Sequence, residues 1–238
     1  MTISQLEDAV GGLSNPDKMP WLSYNLPASA CKVGVALQAR NGSVCAQCYA
    51  TSGRYTFGNV QRAMARRLQA IQSPDWVSNM SELIKRKAER IPADRRYFRF
   101  HDSGDIQSFD HLLDIITIAR NVPGVQFWLP TKEYGLINRL HKSKRPPSQA
   151  VVKIPSNLCI RVSAPDIDQY LSVQSYDANS PWRNTSAVVP YSDAERWNIR
   201  QAQYTAECLA TVPGEDHHCN DCRACWDTLE PVVTYYLH

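Results

Sequence analysis

The chain has 238 residues, of which 43% are hydrophobic and 21% are charged, and its formal net charge is +3. These values are close to globular averages and predict one compact unit, or a core with a small appendage. No apolar run is long enough to cross a bilayer, and the charge alone does not indicate a nucleic-acid-binding protein. The N-terminus lacks the basic start and apolar core of a secretory signal, so we expect a cytoplasmic protein with reduced cysteines.

The first part of the chain is predicted to be an irregular arm followed by two helices. Residues 1–44 contain three prolines that interrupt any long helix. Within this arm, the segment WLSYNLPAS has partly alternating apolar residues and is a candidate first strand. An apolar stripe predicts a helix that begins near Phe57. A second helix follows Pro74 and ends near Pro92.

The middle of the chain alternates between strand and helix patterns. The predicted strands are RYFRFHDSGD, VQFWLPTKE and NLCIRVSAPD, and the helices between them are SFDHLLDIITIAR, capped by Ser108, and YGLINRLHKSK. A further short strand is predicted at Ala187 to Val189. This alternation predicts an α/β fold in which a parallel sheet curls into a partial (β/α) barrel.

Two regions are predicted. Residues 1–190 form the partial barrel with its N-terminal cysteine loop, and residues 191–238 form a cysteine-rich segment that packs on it. A basic run also lies between Lys85 and Arg96; it consists of Lys85, Arg86, Lys87, Arg90, Arg95 and Arg96. Charge runs on helices usually face water, and the alternative is a contact with nucleic-acid phosphates.

Polar residues follow the predicted strands, where parallel sheets gather their working groups. The candidate catalytic residues at these ends are His101, Asp102, Ser103, Asp105, Lys132 and Arg161. An ordinary explanation competes with this one, since strand ends are where polar loops begin and Asp102 and Ser103 favour turns before Gly104. The sequence has no phosphate-binding glycine-rich motif and no G-x-S-x-G nucleophile elbow.

Seven of the eight cysteines fall into two sets. The N-terminal set is Cys31, Cys45 and Cys48, and the C-terminal set is Cys208, Cys219, Cys222 and Cys225. The eighth, Cys159, lies within a predicted strand and is treated as a buried apolar residue.

The spacing of these cysteines is typical of metal or cluster ligands. Two intervening residues let both sulfurs reach one metal or cluster, and three cysteines at successive steps of three are more typical of iron-sulfur ligation than of zinc fingers. The expected cofactor is one or two [4Fe-4S] clusters. A four-thiolate zinc site, for example one that joins Cys45 and Cys48 to Cys222 and Cys225, is the alternative. Three thiolates would leave one iron open to a ligand, whereas four would close the cluster.

Five segments together resemble the phage gene-product-88 family, with matches over most of the chain. They are CKVGVALQARNGSVCAQCYATSGRY, FRFHDSGDIQSFDHL, FWLPTKE, CIRVSA and CNDCRACWD. The resemblance implies a phage or prophage setting, and hence the cytoplasm of a host cell, more than it implies an activity.

The order of parts is also similar to that of radical S-adenosylmethionine enzymes. In that resemblance the N-terminal cysteines and Tyr49 correspond to the cluster loop, Ser103, Gly104 and Asp105 to the segment that holds the methionyl amine, and Ser163 to the fourth-strand region. The chain departs from that pattern at three points. Thirteen residues separate Cys31 from Cys45, Asp105 replaces the usual glutamate, and about four strands are predicted where six are usual.

Two hypotheses follow for function. The first is an iron-sulfur enzyme, of radical S-adenosylmethionine type or a divergent relative, that acts on a nucleotide or nucleic-acid-related substrate and draws on an electron donor. The second is a zinc-stapled module that binds nucleic acid through the Lys85 to Arg96 run and has no catalytic activity. Neither hypothesis involves a membrane.

Overall fold

Seven parallel strands form one sheet in the described part of the chain. This computed structural model describes residues 1–142, 152–171, 180–201, 205–214 and 217–237. The strands are β1 (Ser23–Tyr24), β2 (Tyr97–Phe100), β3 (Gln126–Thr131), β4 (Leu158–Ser163), β5 (Asn184–Val189), β6 (Thr205–Glu207) and β7 (Val232–Tyr236). Their order is β1-β2-β3-β4-β5-β7-β6, and every neighbouring pair is parallel. The sheet is not closed into a barrel, because β1 and β6 remain edge strands.

Helices connect most of the strands. They are α1 (Ile3–Val10), α2 (Lys32–Gln38), α3 (Gly58–Ala70), α4 (Trp76–Ala88), α5 (Phe109–Asn121), α6 (Tyr134–Lys142) and α7 (Asp193–Gln201). Helix α1 packs against α3 and α4, α4 packs against α5, and α5 packs against α6. None of the helices in the described ranges is long and apolar enough to cross a membrane.

The main core lies between these helices and one face of the sheet. Strand β2 contributes Phe98 and Phe100, and β3 contributes Phe127 and Leu129, all of them fully buried. Successive strand residues point to opposite faces, so Tyr97 and Arg99 lie on the other side of the sheet. The apolar face of the sheet therefore positions β2, β3 and β4 with their carboxyl ends together.

The cysteine-rich C-terminal segment covers part of the second face. A smaller core joins Trp128 of β3, Cys225, Trp226 and Val233 of β7. The Trp226 indole nitrogen donates a hydrogen bond of 2.9 Å to the backbone carbonyl of Phe98, and its ring lies 5.2 Å from that of Trp128. Strand β7 itself lies between β5 and β6, so the segment both covers the sheet and extends it.

The predicted α/β fold with a parallel sheet is confirmed. Helices α3 to α6 and strands β2 to β5 lie where the hydrophobic patterns predict them, and Ser108 caps α5 by accepting from the backbone of His111 at 3.0 Å. The N-terminal arm contains more regular structure than predicted. Helix α1 begins with a capping box formed by Thr2 and Gln5, and it buries Leu6 and Val10.

Candidate functional site

The three N-terminal cysteines converge around the start of α2. The sulfurs of Cys31 and Cys45 lie 3.5 and 3.8 Å from the point that a Cβ atom on Gly34 would occupy. That same Cβ atom would stand 2.9 Å from the Cβ of Cys31, so only glycine fits at this turn of the helix without displacing a neighbour. The backbone N–H of Cys48 donates to the carbonyl of Cys45 at 3.2 Å, which closes the turn between them.

Burial favours the neutral thiols of Cys31 and Cys45. Burial raises the pKa of Cys31 to about 12, and the nearby Asp105, Cys48 and Cys45 contribute in the same direction. Burial also raises the pKa of Cys45, although the Lys132 ammonium acts against it. A bound cation would reverse this preference, because metal coordination stabilises the thiolate.

The cysteine loop is attached to the chain that follows β4. The backbone N–H of Val44 donates to the carbonyl of Pro165 at 2.9 Å, and that of Ile167 donates to Gly42 at 2.9 Å. Arg40 forms an ion pair of 2.5 Å with Asp166. These contacts hold Cys45 and Cys48 beside the carboxyl ends of the parallel strands.

Asp105 and Glu133 organise the strand ends next to the cysteines. Asp105 accepts hydrogen bonds from the Thr131 hydroxyl at 2.7 Å, from the backbone N–H of Lys132 at 2.8 Å and from its neighbour Ile106 at 2.8 Å. Burial raises its pKa to about 6 in spite of these donors. Glu133 is buried as well and accepts from the backbone N–H of Val33 at 3.0 Å, which ties β3 to the first turn of α2.

Asp102 lies beneath the aromatic side chains that follow Cys48. One carboxylate oxygen accepts from Tyr55 at 3.1 Å and from the Asn25 amide at 3.2 Å. Its other carboxylate oxygen is buried without a hydrogen-bond partner. The Tyr49 hydroxyl donates to the backbone carbonyl of Asp102. Asp102 therefore connects the cysteine loop to the end of β2.

Ser103 and Gly104 join this strand end to the segment that leads to Cys31. The Ser103 hydroxyl donates to the carbonyl of Leu26 at 2.7 Å, and the backbone N–H of Leu26 donates back to Ser103 at 2.9 Å. Gly104 has a φ of 77°, and a Cβ atom there would lie 2.5 Å from the Cβ of Leu26. Both residues thus have a structural reason to be present, independent of any ligand.

His101 points away from the cysteines and into the main core. It is 3% exposed, its φ is 59°, and neither ring nitrogen has a hydrogen-bond partner. Its ring centroid lies 5.5 Å from that of His111 on α5. Burial, His111 and Arg99 all lower the pKa of His101. The structure therefore separates His101 from Asp102 and Asp105, with which the sequence groups it.

Arg161 also lies apart from the strand-end group. It is fully buried, and its guanidinium points beneath the C-terminal segment. It donates to the backbone carbonyls of Thr185, Ala224, Asp227 and Glu230 at distances between 2.9 and 3.2 Å. Ser163, two residues later, is at the strand end, where its hydroxyl accepts from Ser186 at 3.0 Å and its carbonyl accepts from Tyr134 at 2.7 Å.

The four C-terminal cysteines form a second, separate group. Cys208, Cys219, Cys222 and Cys225 line one pocket of about 20 Å³. Burial raises the pKa of Cys208 to about 12 and that of Cys219 to about 11, with Cys225 the next contributor to both. The sulfur of Cys225 lies 3.1 Å from the Tyr235 hydroxyl. The structure groups the cysteines by set, with Cys45 and Cys48 beside Cys31 and with Cys222 and Cys225 beside Cys208.

A continuous series of contacts connects the two cysteine sets across the sheet. Arg99 of β2 donates to the Tyr49 hydroxyl at 3.3 Å, and its guanidinium lies 4.2 Å from the ring centre of Trp128. Trp128 in turn contacts Trp226. Tyr49 follows Cys48, and Trp226 follows Cys225, so this series begins and ends next to a cysteine of each set.

In the part of the chain that the structure describes, no three His, Cys, Asp or Glu side chains form a group that would hold a single metal ion. The thiols of each set are nevertheless neighbours. A metal or cluster would therefore bind by drawing the thiols into its own geometry, as happens when metal binding is coupled to local folding.

A family model described as Gene product 88 matches residues 4–228. The chain belongs to the Gene product 88 family. The matched range of this family member includes both cysteine sets and all three strand ends described above. No curated protein and no solved structure matches the chain. The similarity to radical S-adenosylmethionine enzymes gains no support from these comparisons.

The basic run of this Gene product 88 chain is partly used within the protein. Arg86 pairs with Glu82 at 2.6 Å, and Lys87 pairs with Glu7 of α1 at 2.6 Å. Arg96 donates to the carbonyl of Ile91 at 3.1 Å. Lys85 and the remaining members of the run are exposed to solvent.

Three residues near the cysteines have structural roles that the sequence patterns do not predict. Gly34 provides room for Cys31, Glu133 ties β3 to α2, and Arg99 lies between the two sets. Each of the three has a feature in the sequence that could have indicated its role. Gly34 stands within a helical segment between two cysteines, Glu133 ends a buried strand, and Arg99 is a charge within an aromatic strand.

Proposed function

We propose that this protein is an iron-sulfur enzyme of radical S-adenosylmethionine type, or a divergent relative, in which Cys31, Cys45 and Cys48 hold a [4Fe-4S] cluster. The observation that carries the proposal is the convergence of these three thiols at the carboxyl ends of the parallel strands. Active sites of open parallel sheets lie at that edge. A phage setting, implied by the family, favours a nucleotide or nucleic-acid-related substrate and a site of action in the host cytoplasm.

The residues present fit such a cluster. Three thiols satisfy three irons, and the glycine at position 34 leaves space where a Cβ atom would crowd Cys31. When bound, the cluster would supply one iron without a protein ligand, available to the polar groups of a substrate or of S-adenosylmethionine. The side chains beside it come from β2 and β3, and those strands are held rigidly by the main core.

Each nearby side chain has a distinct proposed role. Asp105 is a positioning residue, because its oxygens are occupied by Thr131, Lys132 and Ile106. Lys132 faces Cys45 and would counter the negative charge of the thiolates or of an anionic substrate. Asp102 retains one buried oxygen without a partner and is the best placed of the strand-end carboxylates to accept a proton or a hydrogen bond from a ligand.

A cluster or metal ion bound by the C-terminal set would have no open coordination position, because four thiolates would occupy them all. Its proposed role is to hold the segment on the sheet or to pass electrons from a donor protein to the N-terminal set. The pocket of about 20 Å³ holds one ion more readily than a cluster, since about 10–15 Å³ is enough for one water molecule. This observation favours a structural zinc ion as the second candidate for the C-terminal set, and it leaves the proposal for the N-terminal set unchanged.

Metal analysis of protein purified without oxygen tests the proposal. We expect a brown protein with about four iron and four sulfide atoms at the N-terminal set, plus either a second cluster or one zinc ion. Cys31→Ala should lose the iron of the N-terminal set, whereas the matched control Cys159→Ala should retain it, because Cys159 lies in β4 and belongs to neither set. Equilibrium dialysis should then show S-adenosylmethionine binding to the wild type and not to Cys31→Ala. A colourless protein that holds zinc and no iron would overturn the proposal.

Alanine substitutions at Gly34 of α2 and Gly135 of α6 provide a second test of the proposed cluster site. Gly34→Ala places a Cβ atom 2.9 Å from that of Cys31, so we expect a lower iron content and a loss of about 1–3 kcal/mol in stability from overpacking. Gly135→Ala is the matched control, since no atom lies within 4 Å of its added Cβ. The control should retain iron and gain about 0.5–1 kcal/mol. Equal iron content in both variants would contradict the proposed packing around Cys31.

A further inference from the structure

A cleft lies at the opposite end of the parallel strands from the N-terminal cysteines. It precedes β4 and β5, and it has a volume of about 640 Å³, within the usual range for ligand sites. Pro123, Pro155 and Pro181 lie along its wall, and Leu158 and Ile160 form an apolar part of it. The cleft is therefore well separated along the strands from the carboxyl-end group of Asp102 and Asp105.

Three basic side chains line this cleft, and none of them has an acidic partner among the described residues. They are Arg120 at the end of α5, Lys153 before β4 and Arg183 before β5. No aspartate or glutamate is among the described lining residues. In the ranges described, none of the three basic residues forms an ion pair, whereas Arg40, Arg86, Lys87 and Arg196 all do.

The rest of the lining provides hydroxyl groups and a fixed framework. Ser156 and Thr228 add hydroxyl donors to the wall. The Asn157 amide is already committed, since it donates to the carbonyls of Ala119, Val122 and Val125 at 2.9 to 3.1 Å. These bonds fix the end of α5 against the start of β4. Arg120 also donates to the carbonyl of Lys153 at 2.9 Å, which holds two of the basic residues next to each other.

We propose that this cleft is a binding site for a phosphate-bearing ligand, which Arg120, Lys153 and Arg183 recognise. A concave surface lined by one sign of charge concentrates the opposite charge, and arginine matches the geometry of phosphate oxygens through paired N–H donors. The chemistry is the same whether the phosphate belongs to a free phosphorylated molecule or to a nucleic-acid backbone. The site goes beyond the proposed iron-sulfur function and does not depend on it, because no cysteine is among its described lining residues.

Isothermal titration of the full chain with inorganic pyrophosphate tests the site. The cleft variant combines Arg120→Gln, Lys153→Gln and Arg183→Gln. The matched control removes the same charge from the exposed basic run through Lys85→Gln, Arg90→Gln and Arg95→Gln. We expect affinity to fall by about tenfold or more in the cleft variant, because charge-assisted bonds to phosphate are lost, and to change little in the control.

Three further measurements make the result decisive. Lys153→Gln alone changes an exposed side chain and should weaken pyrophosphate binding even if the triple variant does not fold. Bound pyrophosphate should also protect Lys153, and not Lys85, from acylation followed by mass spectrometry. Displacement of pyrophosphate by a short single-stranded oligonucleotide would assign the phosphate to a nucleic-acid backbone, and the absence of displacement would assign it to a small molecule. Absence of pyrophosphate binding, or equal loss in the control, would overturn the proposal.

Discussion

Two buried histidines contribute to stability in a direction that depends on pH. His101 and His111 are each 3% exposed, and their rings lie edge to face beside the main core with centroids 5.5 Å apart. The Nδ1 atom of His111 accepts from the backbone N–H of Gln107 at 3.2 Å, so the ring is held in its neutral form. Burial lowers the pKa of His111 from 6.5 to about 4. Charging either ring would place an uncompensated cation in an apolar core.

The sign of the resulting pH dependence follows from this shift. Between pH 6.5 and pH 4 the unfolded chain binds a proton at His111 and the folded chain does not, so acid favours unfolding by roughly 3 kcal/mol across the window. Asp105 acts in the opposite direction, since its pKa is raised to about 6 and its protonation stabilises the folded form as the pH falls. The contribution of His111 must therefore be measured as a difference between variants.

His111→Gln should reduce the acid sensitivity of folding. Glutamine retains an acceptor for Gln107 but cannot be protonated, so the difference in unfolding free energy between wild type and variant should narrow as the pH falls from 6.5 to 4. Urea unfolding at a series of pH values measures this difference. His141→Gln, at an exposed position of α6, is the control, and it should leave the pH dependence of the unfolding free energy as in the wild type. A constant difference between wild type and His111→Gln would show that folding does not lower the pKa of His111.

At the residue scale, the sequence predicts which side chains reach the strand ends better than it predicts where they point. Asp105 and Lys132 do meet beside the N-terminal cysteines, and Asp102 contacts Tyr49, the residue that follows Cys48. His101 follows β2 directly, but its φ of 59° directs the ring into the core. Such a backbone conformation depends on tertiary contacts that no local pattern encodes.

At the scale of elements, a single buried arginine fastens the cysteine-rich segment to the sheet. Arg161 leaves β4 on the second face and donates to three carbonyls of the segment as well as to Thr185 of β5. Asn184 adds donors to the carbonyls of Thr228 and Glu230 at 3.1 and 2.8 Å. After β6 and a short turn, the described residues 212–214 and 217–231 form no helix or strand, so these bonds replace the backbone pairing that regular structure would provide there.

Arg161→Met should therefore destabilise the protein strongly. It removes the donors of several buried carbonyls, and we expect a loss of at least about 3 kcal/mol in unfolding free energy. Hydrogen exchange should increase first in the segment from Ala224 to Glu230, which is measurable by mass spectrometry. Arg86→Met removes an exposed pair with Glu82 and should cost less than about 0.5 kcal/mol. Similar losses in the two variants would show that Arg161 is not a structural anchor.

Elements with a strong local pattern were predictable, whereas those completed by distant pairing were not. Helices α3 to α5 have a clear apolar stripe, and β2 to β4 alternate with helices at the expected spacing. Strand β7 has the β-branched and aromatic residues of a strand, but its sequence does not show that it enters the sheet between β5 and β6. The segment before it is held by the Arg161 side chain, which no periodicity reveals.

At the scale of the whole molecule, the two sheet faces and the two cysteine sets form one connected structure. The contacts from Tyr49 through Arg99, Trp128 and Trp226 join the strand-end site to the C-terminal set. Strand β7 pairs with β5 along its whole length, from Thr185 with Val232 to Val189 with Tyr236. Residues after 190 therefore complete the same sheet that residues before 190 begin.

This arrangement predicts that residues 1–190 do not fold cooperatively by themselves. This fragment lacks β7, so β5 would be unpaired on one side. Trp128, which is 5% exposed in the full chain, would also become exposed to solvent. We expect one cooperative thermal transition for the full chain, with coincident far-UV circular dichroism and tryptophan fluorescence, and a broad transition for the fragment. Residues 1–236 are the control, since they retain β7 and should unfold like the full chain. A steep, reversible transition in the 1–190 fragment would instead establish the C-terminal segment as an independent appendage, and the connection between the two cysteine sets would then lose its structural basis.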